Sequence, residues 1–191
     1  MHKNIAVLAG DGIGSEIITE AIKVLQAVAK KYHHSFTYIH ALIGAVAIDE
    51  TGDPFPDKTL EVCKSSDAIL FGAIGDPKYD NDPNAKVRPE QGLLALRKAL
   101  NLYCNVRPVT IYDSLIDSSP LKRNRIEGVD LVIYRELTGG IYFGEKKEMN
   151  DRGFASDLCT YNKEEILRVA HLAFKAAGKR KNKLTLVDKA N

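Results

Sequence analysis

Ile5-Ala-Val-Leu-Ala-Gly-Asp-Gly-Ile-Gly-Ser15 decides the fold: a β-rich apolar run, a turn with three glycines, and the start of a helical period. Residues 5–9 are apolar without alternation, the pattern of a strand buried on both faces. From Ser15 to about Tyr32, the apolar positions Ile18, Ala21, Ile22, Leu25, Val28 and Ala29 form a one-sided helical stripe, and Ser15 is the expected N-cap. Residues 36–39 read as a second strand. Pro54 and Pro56 punctuate a loop, Asp57 is expected to cap a short helix through Lys64, and residues 68–71, closed by Gly72, read as a third buried strand. Strand, helix, strand, helix, strand predicts an α/β fold with a parallel sheet covered by helices.

Beyond this frame a long polar loop is expected over residues 75–91, holding Pro77, Pro83 and Pro89; such a length is functional or disordered. Leu93, Leu96 and Leu100 predict a helix over 92–103. Residues 105–111 read as extended and 129–134 as a strand. Residues 139–161 show neither period and read as an excursion, in hairpin form. Asn162 is expected to cap a helix with Ile166, Ala170, Ala173, Phe174 and Ala177 on one face and Gly178 at its end. Residues 184–187 are expected to form a last strand before Asp188-Lys189-Ala190-Asn191.

The chain has 191 residues, 45% apolar and 27% charged, enough for a packed core in one ordinary domain or two small ones. Twenty-seven Lys and Arg against 25 Asp and Glu leave a net charge of +2, which argues against nucleic-acid or membrane-surface partners. No apolar run approaches the roughly 20 residues of a membrane helix. The N-terminal apolar stretch runs into Asp11, so no secretory leader is expected. Cys63, Cys104 and Cys159 are scattered without a C-x-x-C pair, as expected of reduced thiols in a cytoplasmic protein. The five histidines lack metal-site spacing and no G-x-S-x-G occurs. The basic run 179–183 suits the C-terminal end of a helix, where the dipole favours cations.

Two readings stand for Gly10-Asp-Gly-Ile-Gly-Ser15: helix amides that hold an anion, or glycines that ease a tight turn. The dinucleotide fingerprint itself fails, because Ser15 replaces the third glycine and the next strand ends Ile39-His40-Ala41 without an acid. Arg97 on a helix, Arg107 in an extended segment and Arg135 at the end of an apolar strand suit capture of carboxylates or phosphates. For any one of them a structural ion pair is the safer reading; three together, close to a long polar loop in sequence, point to an anionic substrate. Tyr142 after Gly139-Gly140 and Lys189 after a strand end lie where open α/β sheets place chemistry.

Several long motifs carry a resemblance. Arg88-Pro-Glu-Gln-Gly-Leu-Leu-Ala-Leu-Arg-Lys98, Asn105-Val-Arg-Pro108, Arg135-Glu-Leu-Thr-Gly-Gly-Ile-Tyr-Phe-Gly144 and Val187-Asp-Lys-Ala-Asn191 resemble the isocitrate/isopropylmalate dehydrogenase family of β-decarboxylating dehydrogenases. Gly10-Asp-Gly-Ile-Gly-Ser-Glu16 and Gly72-Ala-Ile-Gly-Asp-Pro-Lys-Tyr-Asp80 match as well, so the resemblance covers the whole chain. It implies that family's two-domain α/β fold, which is not a Rossmann fold, present here incomplete. Residues 1–103 correspond to the N-terminal part of the first domain. Residues 104–191 correspond to part of the second, with a dimer arm at about 143–161.

Glu90, Leu93 and Leu94 resemble the isopropylmalate branch, whose apolar ledge takes an isopropyl group. The implied reaction is NAD-dependent oxidation and decarboxylation of 3-isopropylmalate to 4-methyl-2-oxopentanoate and CO2, in leucine biosynthesis. Residue by residue, the resemblance gives Arg97, Arg107 and Arg135 to the substrate carboxylates and Tyr142 to proton donation after decarboxylation. It makes Lys189 the base on the hydroxyl proton, acting in the partner's active site of a homodimer. Ile13, Asp76, Pro77, Lys78, Tyr79 and Glu90 match the NAD site. A neutral Lys189 requires burial or cationic neighbours.

Mg2+ or Mn2+ is implied to polarise hydroxyl and enolate. The aspartates expected to bind it lie beyond Asn191, as do the adenosine loop and the return segment of the first domain. The expectation is therefore an N-terminal portion without a complete metal site and with little activity alone. The alternatives are a tartrate- or homoisocitrate-type relative, and a non-catalytic remnant.

Overall fold

β1 (His2–Gly10) is the middle strand of a three-stranded parallel sheet. β2 (Ser35–His40) lies on one side of it and β3 (Ala68–Ala73) on the other, in the order β2-β1-β3. Ile5 pairs with Tyr38 in one direction and Ala68 in the other. Both edges of β1 are therefore hydrogen-bonded, and both its faces are covered, which is why residues 5–9 are uniformly apolar. The computed structural model describes all residues except Asn81, Pro83, Asn84, Lys189, Ala190 and Asn191. The chain divides into two units, Met1–Leu100 and Asn101–Asn191.

In the first unit α1 (Gly14–Tyr32) covers one face of the sheet, packing Ile18, Ile22 and Leu25 against Ile5 and Val7. There follow α2 (Ala45–Thr51), α3 (Asp57–Ser65), the one-turn α4 (Pro77–Asp80) and α5 (Pro89–Ala99). The opposite face buries Ala6 and Leu8 with Ile43, Phe55, Cys63 and Leu96, flanked by Phe71, Leu93 and Leu100. Burial holds the Cys63 thiol pKa above its ordinary value.

Several boundaries differ from the sequence reading. Ser15 does not cap α1; Ile13 holds that position without a side-chain bond, and Gly14 N–H closes the turn on the Asp11 carbonyl at 2.8 Å. Asp57 likewise lies inside the first turn of α3, after Pro56, where its charge complements the dipole rather than capping. α5 starts at Pro89, three residues earlier than expected, because a proline at the first helical position forfeits no hydrogen bond. α2 and α4 occupy stretches that showed no period, being too short to display one.

In the second unit β4 (Cys104–Thr110) pairs antiparallel with β5 (Asp130–Glu136), setting Asn105 opposite Arg135 and Arg107 opposite Ile133. A 3-10 helix (Asp113–Ser118) and α6 (Arg123–Ile126) bridge the two strands and bury Ile116 and Ile126. After β5 come a 3-10 turn (Gly140–Tyr142), a hairpin of β6 (Lys146–Lys147) and β7 (Ser156–Asp157), and α7 (Lys163–Gly178), which packs on β5. Asn162 caps α7: its Oδ1 accepts Glu165 N–H at 2.9 Å while Glu165 Oε2 accepts Asn162 N–H at 2.8 Å.

The strand expected over residues 184–187 is absent. These residues are irregular, with Leu186 87% and Val187 90% exposed, because no described strand offers them a ladder. Among the described residues no helix is long and apolar enough to cross a membrane.

Candidate functional site

The C-terminal ends of β1 and β3 lie side by side, since Asp11 N–H donates to the Ala73 carbonyl at 2.8 Å. Open α/β sheets bind ligands at this edge. The Asp11 side chain is only 2% exposed and accepts three backbone N–H groups: Ala45 at 2.9 Å, Val46 at 3.0 Å and Gly75 at 3.0 Å. The anion at the start of α2 is thus supplied by the chain itself. The glycines answer a packing need: a Cβ on Gly14 would lie 2.1 Å from the Ala9 carbonyl oxygen. Gly10 and Gly12 take left-handed backbone angles, φ +70° and +52°, as the tight-turn reading expects.

The residues expected at the NAD site gather around this edge. Ile13 is exposed on the turn, and beside it a Cβ on Gly12 would meet nothing within 4 Å. Gly75 links to the turn through Asp11, and a Cβ on it would lie 3.3 Å from Glu90 Oε1. Asp76 caps α4, its Oδ1 accepting Lys78 N–H at 3.0 Å, and Pro77 is exposed as that helix's first residue. Lys78 Nζ and Tyr79 Oη both donate to Asp49 of α2, at 2.5 and 2.8 Å.

The Lys78 hydrogen bond, then that of Tyr79, holds the Asp49 carboxyl below its ordinary pKa. Lys78 is raised by its bond to Asp49, and Tyr79 is raised first by burial and then by that carboxylate. An open hollow between the C-terminal ends of β1 and β2, lined by Ser15, His40, Val46 and Glu50 among others, includes none of the expected NAD residues.

On α5, Glu90, Leu93, Leu94 and Arg97 recur at the i, i+3, i+4, i+7 spacing and so share one face. Leu93 packs against the buried cluster, Leu94 and Arg97 are half-buried, and Glu90 is exposed. Arg97 stands in the helix's last turn.

The second unit brings together Arg107, Arg135 and Tyr142. Asn105 and Arg107 alternate onto one face of β4, and Arg135, opposite Asn105, shares it. Arg107 Nε donates to Asn105 Oδ1 at 2.5 Å, and the Arg135 guanidinium lies 5.7 Å from the centre of the Tyr142 ring, within cation–π reach. All three side chains are exposed. Lys189 lies outside the described residues.

Two arginines on one strand face, with a phenol from the following turn against one of them, can hold a carboxylate and exchange a proton beside it. At the sheet edge of the first unit, the Glu90 carboxylate stands beside Gly75, and Ile13 is exposed on the glycine turn. The metal is another matter: among the described residues no three His, Cys, Asp or Glu side chains gather to hold an ion.

Residues 4–191 match the model of the isocitrate/isopropylmalate dehydrogenase family. The chain belongs to this family. It is 53% identical over 191 residues to a 3-isopropylmalate dehydrogenase of Bacteroides fragilis, covering 100% of this chain and 54% of that protein. One from Halalkalibacterium halodurans is 54% identical over 194 residues, covering 100% and 53%. The chain thus spans about half the length of the curated relatives it matches.

Among solved structures, isocitrate dehydrogenase from Methylococcus capsulatus superposes with a TM-score of 0.74 at 27% identity, covering 94% of this chain and 48% of that one. A β-decarboxylating dehydrogenase from Thermococcus kodakarensis gives a TM-score of 0.65 at 32% identity, covering 95% and 47%. Isocitrate/isopropylmalate dehydrogenase architecture accounts for the failed dinucleotide fingerprint: Gly14 serves close contact of α1 with the end of β1.

Four residues of this family member escaped the sequence reading as holding groups: Asp11, Asp49, Glu136 and Arg168. Asp11 carried a signal, an acid between glycines at a buried strand end that must find N–H partners. Glu136 carried another, an acid two and three residues ahead of turn amides. Asp49 and Arg168 act across sequence separations of 29 and 32 residues, which no local pattern marks.

Proposed function

We propose that this chain is the N-terminal half of a 3-isopropylmalate dehydrogenase, oxidising and decarboxylating 3-isopropylmalate to 4-methyl-2-oxopentanoate and CO2 with NAD. The observation that carries the reading is that Arg107 and Arg135 share one face of β4 and β5, with the Arg135 guanidinium against the ring of Tyr142 in the following turn. Identity above one half to curated 3-isopropylmalate dehydrogenases over the full chain supports the substrate.

In this reading Arg107 and Arg135 orient a substrate carboxylate, which removes the entropy of positioning from the reaction. Tyr142 returns a proton to the enolate left by decarboxylation, and Lys189, neutral when it acts, takes the hydroxyl proton. On α5, Arg97 takes a carboxylate while Leu93 and Leu94 present apolar surface to an isopropyl group. Glu90, Ile13, Asp76, Pro77, Lys78 and Tyr79 hold NAD, which when bound supplies the hydride acceptor.

The domain limits proposed are 1–103 for the first domain and 104–191 for part of the second. The hairpin region at about 143–161, with exposed Met149, Phe154 and Leu158, is the arm that joins a second copy. The Mg2+ or Mn2+ ligands are not assembled by the described residues, so no step is assigned to a metal here.

The test is NADH formation by the complete reading frame containing this chain, with 3-isopropylmalate, isocitrate, homoisocitrate and tartrate each supplied with Mg2+. Preference for 3-isopropylmalate is expected, whereas preference for any other substrate overturns the assignment. Residues 1–191 expressed alone are expected to give no turnover.

A further inference from the structure

We propose that Arg168, acting through Glu136, is the positioning residue that sets Tyr142 over Arg135. The proposal rests on the reading of Tyr142 as the proton donor. Glu136 ends β5 immediately after Arg135, so the two side chains point to opposite faces of the strand. Arg135 lies on the face shared with Tyr142, while Glu136 points towards α7 and its side chain is only 9% exposed.

The Glu136 carboxylate spends most of its bonding capacity on the turn that follows it. Oε2 accepts Thr138 N–H at 2.9 Å and Gly139 N–H at 2.7 Å, and Oε1 accepts the Thr138 hydroxyl at 3.1 Å. A carboxylate that bonds two successive amides at a strand end bends the chain sharply there. Gly140 follows at φ +76°, and Tyr142 closes the 3-10 turn that leaves it. The far side of the bend is walled by Tyr161, whose hydroxyl would lie 2.4 Å from a Cβ on Gly140. The Tyr142 backbone is therefore fixed by where the Glu136 carboxylate is held.

Arg168 does the holding. Its Nη2 donates to Glu136 Oε1 at 2.5 Å and also to the Thr138 hydroxyl, so both side-chain partners of that nitrogen belong to the turn. Nη1 reaches Asn101 Oδ1 at 3.3 Å, and the guanidinium lies 4.8 Å from the centre of the Tyr103 ring. Nε is buried without a hydrogen-bond partner. Among the described residues, two of the three hydrogen bonds that the guanidinium makes thus go to the turn.

The experiment is a double-mutant cycle in the complete enzyme, using Y142F, R168M and Y142F/R168M, with R168K as the conservative variant. R168M is expected to lower kcat by about 10- to 100-fold with KM for 3-isopropylmalate changed less than about threefold. R168K should recover part of the loss. In the Y142F background R168M should cost nothing more, because there is no hydroxyl left to misplace. Multiplying effects of the two substitutions overturn the proposal and leave Arg168 a purely structural ion pair; so does a parallel loss in kcat and rise in KM. A wild-type rate for Y142F overturns the reading of Tyr142 itself, and the positioning role with it.

Discussion

The two units hold their functional turns by different means. In the first, Asp11 binds only backbone amides and sits above a core in which Leu8, Ile43 and Val7 have no exposed surface. In the second, Glu136 is held by an arginine from α7, and the strand face that carries Arg107 and Arg135 leaves Leu131 and Ile133 exposed. A buried sheet places a turn by excluding every other packing. A two-stranded ribbon covered on one face needs a directional polar network to do the same. The lesson concerns what holds each anchoring carboxylate: backbone amides above a buried core in the first unit, an arginine side chain from a neighbouring helix in the second.

Four outcomes would break or sharpen that contrast. The largest effect is expected from Leu8→Ala, at about 3–5 kcal/mol of destabilisation from lost burial and residual cavity. Hydrogen exchange should show it as faster opening of β1, β2 and β3, with β4 and β5 little changed. Equal acceleration in both units would make the distinction untenable.

Asp11→Ala comes next, at about 3 kcal/mol, since three N–H groups lose an ionised acceptor. Exchange of the Ala45, Val46 and Gly75 amides reports it directly, and slow exchange in the variant would refute the role given to Asp11. Arg168→Met should cost about 2 kcal/mol by urea denaturation, discounted because Arg168 is 26% exposed. A loss no greater than that of a surface pair would remove the argument that the second unit depends on its network.

The smallest effect is a pH response at Asp49. Its carboxyl is held below the ordinary range by Lys78 and Tyr79, so the contact contributes fully above that range. The contribution is lost as pH falls through the depressed value. Lys78, raised by Asp49, extends the same contact towards alkaline pH until its own raised value is passed. Carbon-13 titration of Asp49 should show the lowered midpoint, and K78M should raise it towards the ordinary range, the Tyr79 hydrogen bond still holding it below. A midpoint unmoved by K78M would show that the ion pair does not form in solution.

Much of the fold could be read because burial writes itself into local pattern. Residues 5–9 and 68–71 were strands for the reason that both faces are covered, and the stripe of α1 and the cap of α7 had signatures of their own. The misreadings share a cause. Pro89 read as loop because proline usually breaks helices, although at the first position it does not. Residues 184–187 read as strand because β-propensity says nothing about whether a neighbouring strand is present. The arginines were visible as residue types, but the Arg135–Tyr142 contact follows from a turn whose geometry depends on Glu136.

The sequence alone determined the parallel α/β frame, the apolar stripes and the candidate arginines, because periodicity and composition are set by which side of an element meets the core. Only the tertiary structure decided that Asp11 fills the start of α2, that Asp49 ties down Lys78 and Tyr79, and that Arg168 reaches Glu136. Those partners are brought together by chain folding over 29 residues or more. A hydrogen bond over such a span leaves no periodic trace in the order of residues.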